Sequence, residues 1–150
     1  MTPVLDPRLR ELYLGSWEGL TGEQVQRSHP YEHAAWRAGR DIPRGGGETY
    51  RDAGDRAAAC VRELLASVRP GGTLVAVTHG GTARAALAVL LGLPDAAWGS
   101  LSALGNCRWS VLVEADRGWR LERHNTGLGA LVGPIGEGPG RGQDKPGAAA

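Results

Sequence analysis

The longest regular pattern of hydrophobic positions in the chain predicts an amphipathic helix that begins near Thr49. Thr49 is followed three residues later by Asp52, an arrangement typical of a helix N-terminal cap. Apolar side chains then recur at spacings of three and four residues, on one face of the predicted helix: Ala53, Ala57, Cys60, Val61, Leu64, Leu65 and Val68. Pro70-Gly71-Gly72 follows this pattern directly, so we expect the helix to end there.

An unbroken apolar run further along the chain predicts a buried strand that leads into a second helix. Residues 73–78 are apolar and rich in β-branched side chains, which is typical of a buried strand. The Ala- and Leu-rich residues 82–91 predict a helix that stops at Gly92. The motif Thr78-His79-Gly80-Gly81-Thr82 therefore lies at a predicted turn from strand to helix.

Shorter patterns predict the remaining elements. Thr21 with Gln24 three residues later fits a capping box, and Pro30 interrupts the helix that this box opens. The other predicted elements, in chain order, are the tail of a strand within 4–14, a helical piece over 31–38, a loop over 39–47, a short helix over 95–101, and two strands over 107–114 and 118–124 that form a hairpin.

This order of elements indicates an α/β fold. We expect three layers, α/β/α, around a mostly parallel sheet, with an antiparallel edge where the hairpin lies. Residues 1–132 are predicted to form one domain. Residues 133–150 contain six Gly and three Pro and almost no large apolar side chains, so we expect a disordered tail there.

Composition and charge narrow the class of protein. The net charge is +1 with both signs interspersed, so we expect no nucleic-acid partner and no membrane surface. No apolar run approaches the roughly 20 residues that span a bilayer. Cys60 and Cys107 are too few for a disulfide framework. Free thiols and the absence of a signal peptide favour a cytoplasmic protein.

The strand-to-helix turn at His79 is the strongest candidate for chemistry. A helix start offers free backbone N–H groups, and Gly80 would let an anion approach the backbone closely. A histidine in this place also occurs as a purely structural group. His29 and His33 are four residues apart, but Pro30 lies between them, so we expect no metal site.

Three segments, taken together, resemble the histidine phosphatase superfamily, the clan that includes cofactor-dependent phosphoglycerate mutases. They are Asp6-Pro7-Arg8-Leu9-Arg10-Glu11 with Gly15-Ser16-Trp17-Glu18-Gly19, then Gly45-Gly46-Gly47-Glu48-Thr49, and Val75-Ala76-Val77-Thr78-His79-Gly80-Gly81. Within that superfamily, Leu93-Pro94, Trp98 and Gly105-Asn106-Cys107-Arg108-Trp109 resemble the actinobacterial glucosyl-3-phosphoglycerate phosphatases. The resemblance runs from about residue 6 to residue 125.

The resemblance implies a phosphomonoester phosphatase that needs neither a metal nor another cofactor. In such enzymes a histidine attacks phosphorus, and water hydrolyses the phosphohistidine. By position, Glu11 matches the proton donor, although by itself it could be a surface carboxylate beside Arg8 and Arg10. His79 matches the second histidine, which hydrogen-bonds a phosphoryl oxygen, and the Gly80 N–H would add a donor to the same oxygen. The implied ligand is a small phosphoester, such as a phosphoglycerate or phosphosugar ester.

The departure from the family is large, because the sequence contains no Arg-His-Gly strand and no second phosphate-binding arginine element. One hypothesis is that the chain is the C-terminal part of a phosphatase, truncated because its start was assigned too late. The alternative is a non-catalytic phosphate-binding or interaction module. A mutase is disfavoured because Glu11 is followed by Leu12-Tyr13-Leu14-Gly15 rather than Arg-His-Tyr-Gly. Without the family's first strand, residues 73–77 would form an exposed edge, so we expect homo-oligomers or poor solubility.

Overall fold

The computed structural model describes residues 2–116 and 118–128, so the predicted tail at 133–150 lies outside the described residues. The helices are α1 (Gly22–Ser28), α2 (Pro30–Arg37), α3 (Tyr50–Leu65) and α4 (Gly80–Leu90). In the described part of the chain, 3₁₀ turns lie before, between and after these helices, at Pro7–Leu9, Gly15–Trp17, Arg44–Gly46 and Asp95–Ser100. Two strands follow, β1 (Trp109–Ala115) and β2 (Gly118–Thr126). No helix in the described ranges is long and apolar enough to cross a bilayer.

Both predicted capping boxes are confirmed. At the start of α1, the Gln24 N–H donates to Thr21 Oγ1 at 3.3 Å, and the Thr21 N–H donates to Gln24 Oε1 at 2.8 Å. At the start of α3, Thr49 and Asp52 exchange the same two hydrogen bonds, each 3.0 Å long. Each box satisfies two backbone donors that a helix start otherwise leaves without partners, so these residues fix where α1 and α3 begin.

Helices α3 and α4 pack closely because their contacting residues are small. A Cβ atom at Gly54 would lie 2.9 Å from both the Ala85 carbonyl oxygen and Val89 Cγ2, so only glycine permits this approach. Ala85, Ala88 and Trp98 form the core cluster beside this contact. This close packing fixes α3 and α4 relative to each other, and with them the residues near the starts of both helices.

The hairpin is confirmed, and the parallel sheet stays a prediction. Strands β1 and β2 pair antiparallel from Trp109 with Thr126 to Ala115 with Gly118, and they form the sheet of the described residues. The buried strand predicted over 73–78 is wrong for this structure. Val75 is 77% exposed and Val77 is 82% exposed, and the segment forms no strand. A strand needs a neighbouring strand to hydrogen-bond with, and none of the described segments supplies one here.

The strand tail predicted within 4–14 is also wrong. Pro7–Leu9 forms a 3₁₀ turn, with Pro7 at its first position. The Asp6 carboxylate accepts a hydrogen bond from the Arg8 N–H at 2.8 Å and so caps this turn. The fixed φ of Pro7 and the cap at Asp6 are local signals that favour a turn over a strand at this point of the chain.

Candidate active site

Glu11 and the start of α4 are joined by hydrogen bonds. Glu11 Oε1 accepts from the Thr82 N–H at 3.1 Å and lies 3.0 Å from Thr82 Oγ1, whose side chain is fully buried. The same oxygen accepts from the Leu12 N–H at 2.9 Å. Thr82 lies three residues after His79, so the structure places the two predicted catalytic residues, Glu11 and His79, at the same helix end.

Opposing effects act on the pKa of Glu11, and the net result is a pKa below the usual value. Partial burial raises it, but the hydrogen bonds from the Leu12 N–H and from the Thr82 hydroxyl and N–H lower it by a larger amount. The charge of His79 lowers it further. Glu11 is therefore an ionised carboxylate at neutral pH, and it acts here as a hydrogen-bond acceptor.

His79 and Gly80 form the N-terminal end of α4. His79 occupies the N-cap position, where its carbonyl oxygen accepts from the Ala83 N–H at 2.8 Å, and its side chain is exposed. Within the described residues, the N–H groups of Gly80 and Gly81 have no hydrogen-bond acceptor. These N–H groups lie at the positive end of the helix dipole, so this end is suited to an anion.

The two glycines after His79 lie in close contact with their surroundings, and at Gly80 the contact is with backbone, so glycine is required there. A Cβ atom at Gly80 would lie 2.6 Å from the Leu104 carbonyl oxygen, and one at Gly81 would lie 3.1 Å from Glu11 Oε1. The loop that carries Leu104 is held by strand β2, because Asn125 Oδ1 accepts from the Gly105 N–H at 3.0 Å. Residues far apart in the sequence thus fix the backbone beside His79.

A partly buried ion pair holds the segment that carries Glu11, and sequence reasoning gave neither of its members this role. Arg56 donates to both oxygens of Glu48, at 2.7 and 2.9 Å, and the two side chains are 14% and 16% exposed. Its remaining donors reach the carbonyl oxygens of Arg8, Arg10 and Glu11 at 2.6, 3.0 and 3.1 Å. The pair is therefore a clamp on the backbone around Glu11.

The hydrogen bonds from Arg56 lower the pKa of Glu48 to about 2, against a smaller opposing effect of burial. Glu48 also accepts from the Tyr13 N–H at 3.0 Å and from Arg10 Nη2 at 2.9 Å.

The sequence does contain a signal for the role of Arg56. Arg56 lies three residues after Ala53 and four before Cys60, on the face of α3 predicted to be buried, where an arginine needs partners.

The glycine run before Glu48 closes a loop against the backbone of 13–15. A Cβ atom at Gly45 would lie 2.6 Å from the Leu14 carbonyl oxygen, and one at Gly47 would lie 2.1 Å from that of Tyr13. The Glu48 N–H also donates to the Tyr13 carbonyl oxygen at 2.8 Å. These glycines therefore pack two backbone segments together, as a loop that closes onto a helix cap requires.

The other side chains considered as candidates lie close to other protein groups. Arg8 pairs with Asp6 and Glu63, both at 2.6 Å, and His29 lies within hydrogen-bond distance of Ser16 and Ser28. His124 lies between Ser102 and Ser110, 3.0 Å from the Ser102 carbonyl oxygen and 2.9 Å from Ser110 Oγ. No group of three or more potential metal ligands lies together in the described part of the chain.

Two proteins named glucosyl-3-phosphoglycerate phosphatase share substantial sequence identity with this chain. The one from Mycobacterium tuberculosis is 39% identical over 115 residues, which are 72% of this chain and 52% of that protein. The one from Mycolicibacterium vanbaalenii is 36% identical over 138 residues, which are 81% of this chain and 61% of that protein. The chain thus spans between half and two thirds of the length of these relatives.

The fold has a solved counterpart. The structure of mycobacterial glucosyl-3-phosphoglycerate phosphatase complexed with VO3 matches 83% of this chain and 64% of its own chain, with a TM-score of 0.74 and 38% identity. This likeness agrees with the predicted α/β class. Residues 1–127 match the model of the histidine phosphatase superfamily, branch 1. The chain therefore belongs to the histidine phosphatase superfamily.

Proposed function

We propose that this chain carries the acid and second-histidine part of a phosphomonoester phosphatase of the phosphohistidine type, which works without a metal. The observation that supports this most directly is the bonding of Glu11 to Thr82, three residues after His79. It brings together, at one helix end, a carboxylate, an exposed imidazole and two N–H groups that have no acceptor among the described residues. A phosphoryl group needs such donors around its oxygens as it is transferred.

In this proposal His79 and the Gly80 N–H bind the phosphoryl oxygens, and Glu11 gives a proton to the leaving alkoxide oxygen. Donation requires a protonated carboxyl group, whereas the pKa of Glu11 is lowered here by its hydrogen bonds. A bound phosphate dianion beside Glu11 would raise that pKa, since like charges disfavour ionisation. The substrate would thus create the protonation state that its own cleavage needs.

The nucleophile would come from residues that the longer relatives contain. None of the chain's four histidines lies in an Arg-His-Gly motif. The chain spans only 52% of the Mycobacterium tuberculosis relative, which leaves room for such a segment. We propose that residues 73–78 pair with that segment as a central strand, in a three-layer α/β/α fold around a mostly parallel sheet.

The proposed substrates are small phosphoesters of the phosphoglycerate or phosphosugar type. The support is the identity of 36–39% to proteins named glucosyl-3-phosphoglycerate phosphatase. The experiment is to isolate the protein from its host, measure its intact mass, and assay phosphate release from glucosyl-3-phosphoglycerate and 3-phosphoglycerate. We expect a mass above 15.8 kDa and an activity that Glu11→Gln and His79→Ala each abolish. A mass of 15.8 kDa with no phosphate release would contradict the proposal.

The second candidate is a non-catalytic phosphate-binding or interaction module. The specific observation in its favour is that the sequence keeps His79 and Gly80 but has no Arg-His-Gly motif. Phosphate binding without any turnover, in a protein of 15.8 kDa, would favour this module over the enzyme.

A further inference from the structure

A hydrogen bond from the Thr78 side chain joins the segment that leads into His79 to the segment that carries Glu11. Thr78 Oγ1 donates to the Leu9 carbonyl oxygen at 2.7 Å, across 69 positions of sequence, and the bond is partly buried. Thr78 directly precedes His79, and Leu9 lies two residues before Glu11. The Thr78 hydroxyl therefore links the two backbone segments that carry the candidate catalytic residues.

The backbone before His79 has few other attachments. Residues 73–78 form no strand, and the side chains of Val75 and Val77 are exposed. Among the described residues, no hydrogen bond other than that of the Thr78 hydroxyl joins 73–78 to another part of the chain. A strand within a sheet is held by the hydrogen bonds of its neighbours. Here a single side chain takes that place, directly before His79.

A second threonine holds the chain on the other side of His79. Thr82 Oγ1 lies 2.9 Å from the Arg10 carbonyl oxygen, and the Thr82 N–H donates to Glu11 Oε1 at 3.1 Å. Thr78 and Thr82 therefore flank His79, and both are bonded to the acid-bearing segment. The backbone of His79 is fixed from both sides relative to Glu11, while its imidazole is exposed.

We propose that Thr78 is a positioning residue for phosphate binding, because its hydroxyl holds His79 in place relative to Glu11 and the start of α4. This inference rests on the phosphate site proposed above. Thr78 acts through His79 and does not itself touch the ligand. Donors that are held in place before a ligand arrives bind it at a lower entropic cost. Without the hydroxyl, the segment before His79 would have to be ordered at each binding event, and this ordering reduces affinity.

The test compares Thr78→Val with Thr78→Ser in the full 150-residue chain. Valine keeps the shape of the side chain and removes the hydroxyl, whereas serine keeps the hydroxyl. Each variant is titrated with inorganic phosphate, and the amide resonances of Gly80 and Gly81 give the dissociation constant of the folded chain. We expect Thr78→Val to weaken binding about fivefold and Thr78→Ser to restore most of the affinity. Without phosphate, ¹⁵N relaxation should show residues 74–79 more mobile in Thr78→Val than in the wild type.

The control is Thr73→Val, at an exposed threonine of the same segment, which should change neither the affinity nor the mobility. Urea unfolding of each variant separates stability from binding. If Thr78→Val is less stable but its folded form binds phosphate as the wild type does, Thr78 is only structural and this inference alone is overturned. Thr78→Ser binding as weakly as Thr78→Val would also overturn it, since the hydroxyl would then not be responsible. A wild-type chain that binds no phosphate would instead overturn the phosphate site, and this inference with it.

Discussion

Arg56 donates two hydrogen bonds to the carboxylate of Glu48, at 2.7 and 2.9 Å, and through its other donors it holds the backbone on both sides of Glu11. This pair lies where α3, the loop before it and the acid-bearing segment meet. Glu48 is the one described carboxylate that pairs with Arg56, and Arg56 in turn donates to the carbonyl oxygen of Glu11, so this ion pair helps to hold Glu11 in place.

Arg56→Gln should destabilise the fold. The substitution removes the bidentate partner of the largely buried Glu48 carboxylate and leaves it only the single ion-pair contact from Arg10. Breaking a fully buried pair costs about 3–5 kcal/mol, and we expect a smaller loss here because of the remaining exposure and the Arg10 contact. Urea unfolding measures the loss. The matched control is Arg62→Gln, on the exposed side of the same helix, where we expect a change within about 0.5 kcal/mol. Equal stability of the two variants would show that the clamp is not structural.

Stability should decline as the pH falls from about 4.5 towards 2. The folded-state pKa of Glu48 is lowered from 4.5 to about 2, so its contribution is full above the unfolded-state pKa and is lost as the pH falls through the folded-state pKa. Thermal unfolding from pH 6 to pH 2 tests this. Glu48→Gln should make the stability depend less on pH between about 4.5 and 2. A variant whose stability falls as steeply as that of the wild type would refute the contribution given to Glu48.

Thr82→Val should raise the pKa of Glu11. Valine keeps the shape of the buried threonine but removes the hydroxyl, which is one of the donors that lower this pKa. The loss in stability should be about 1 kcal/mol. Carboxyl ¹³C NMR titration of Glu11 measures the shift, and Thr73→Val, at an exposed threonine, is the control. Thr82 Oγ1 also lies 2.9 Å from the Arg10 carbonyl oxygen. An unchanged pKa would therefore mean that the hydroxyl donates to that oxygen and not to Glu11.

The 150-residue chain should self-associate through residues 73–77. Val75 and Val77 are exposed, and unpaired backbone beside apolar side chains is a template for another chain. Sedimentation velocity over a range of concentrations should show dimers or larger species. Val75→Lys with Val77→Lys should shift the chain towards monomers, whereas Val113→Lys, at a partly exposed valine of β1, should not. A monomeric wild type would refute this expectation.

Signals carried by residues close together in sequence were sufficient to predict the helices. The boxes at Thr21 and Thr49 involve residues three apart, so the sequence alone carries both partners. The hairpin prediction succeeded for the same reason, since its two strands adjoin in sequence. The strand predicted over 73–78 depended on a partner that the pattern could not supply, and the apolar run alone did not produce a ladder.

The candidate site was predictable only in part. Glu11, His79 and Gly80 were assigned by their resemblance to family motifs, and the structure brings Glu11 to the helix end that His79 caps. Thr82 and Arg56 were not assigned, because Glu11, which both of them bind, is 71 and 45 residues away from them in sequence. Contacts at such distances leave no periodic pattern, although the place of Arg56 on a buried helix face was a detectable signal.

The most direct measurement is a titration of the chain with inorganic phosphate, followed by the amide resonances of Gly80 and Gly81. We predict saturable shifts of both amides that His79→Ala abolishes. His33→Ala, at a half-buried histidine of α2, should leave the shifts unchanged. Amide resonances that do not respond to phosphate, or that respond equally in His79→Ala, would contradict a phosphate site at the start of α4.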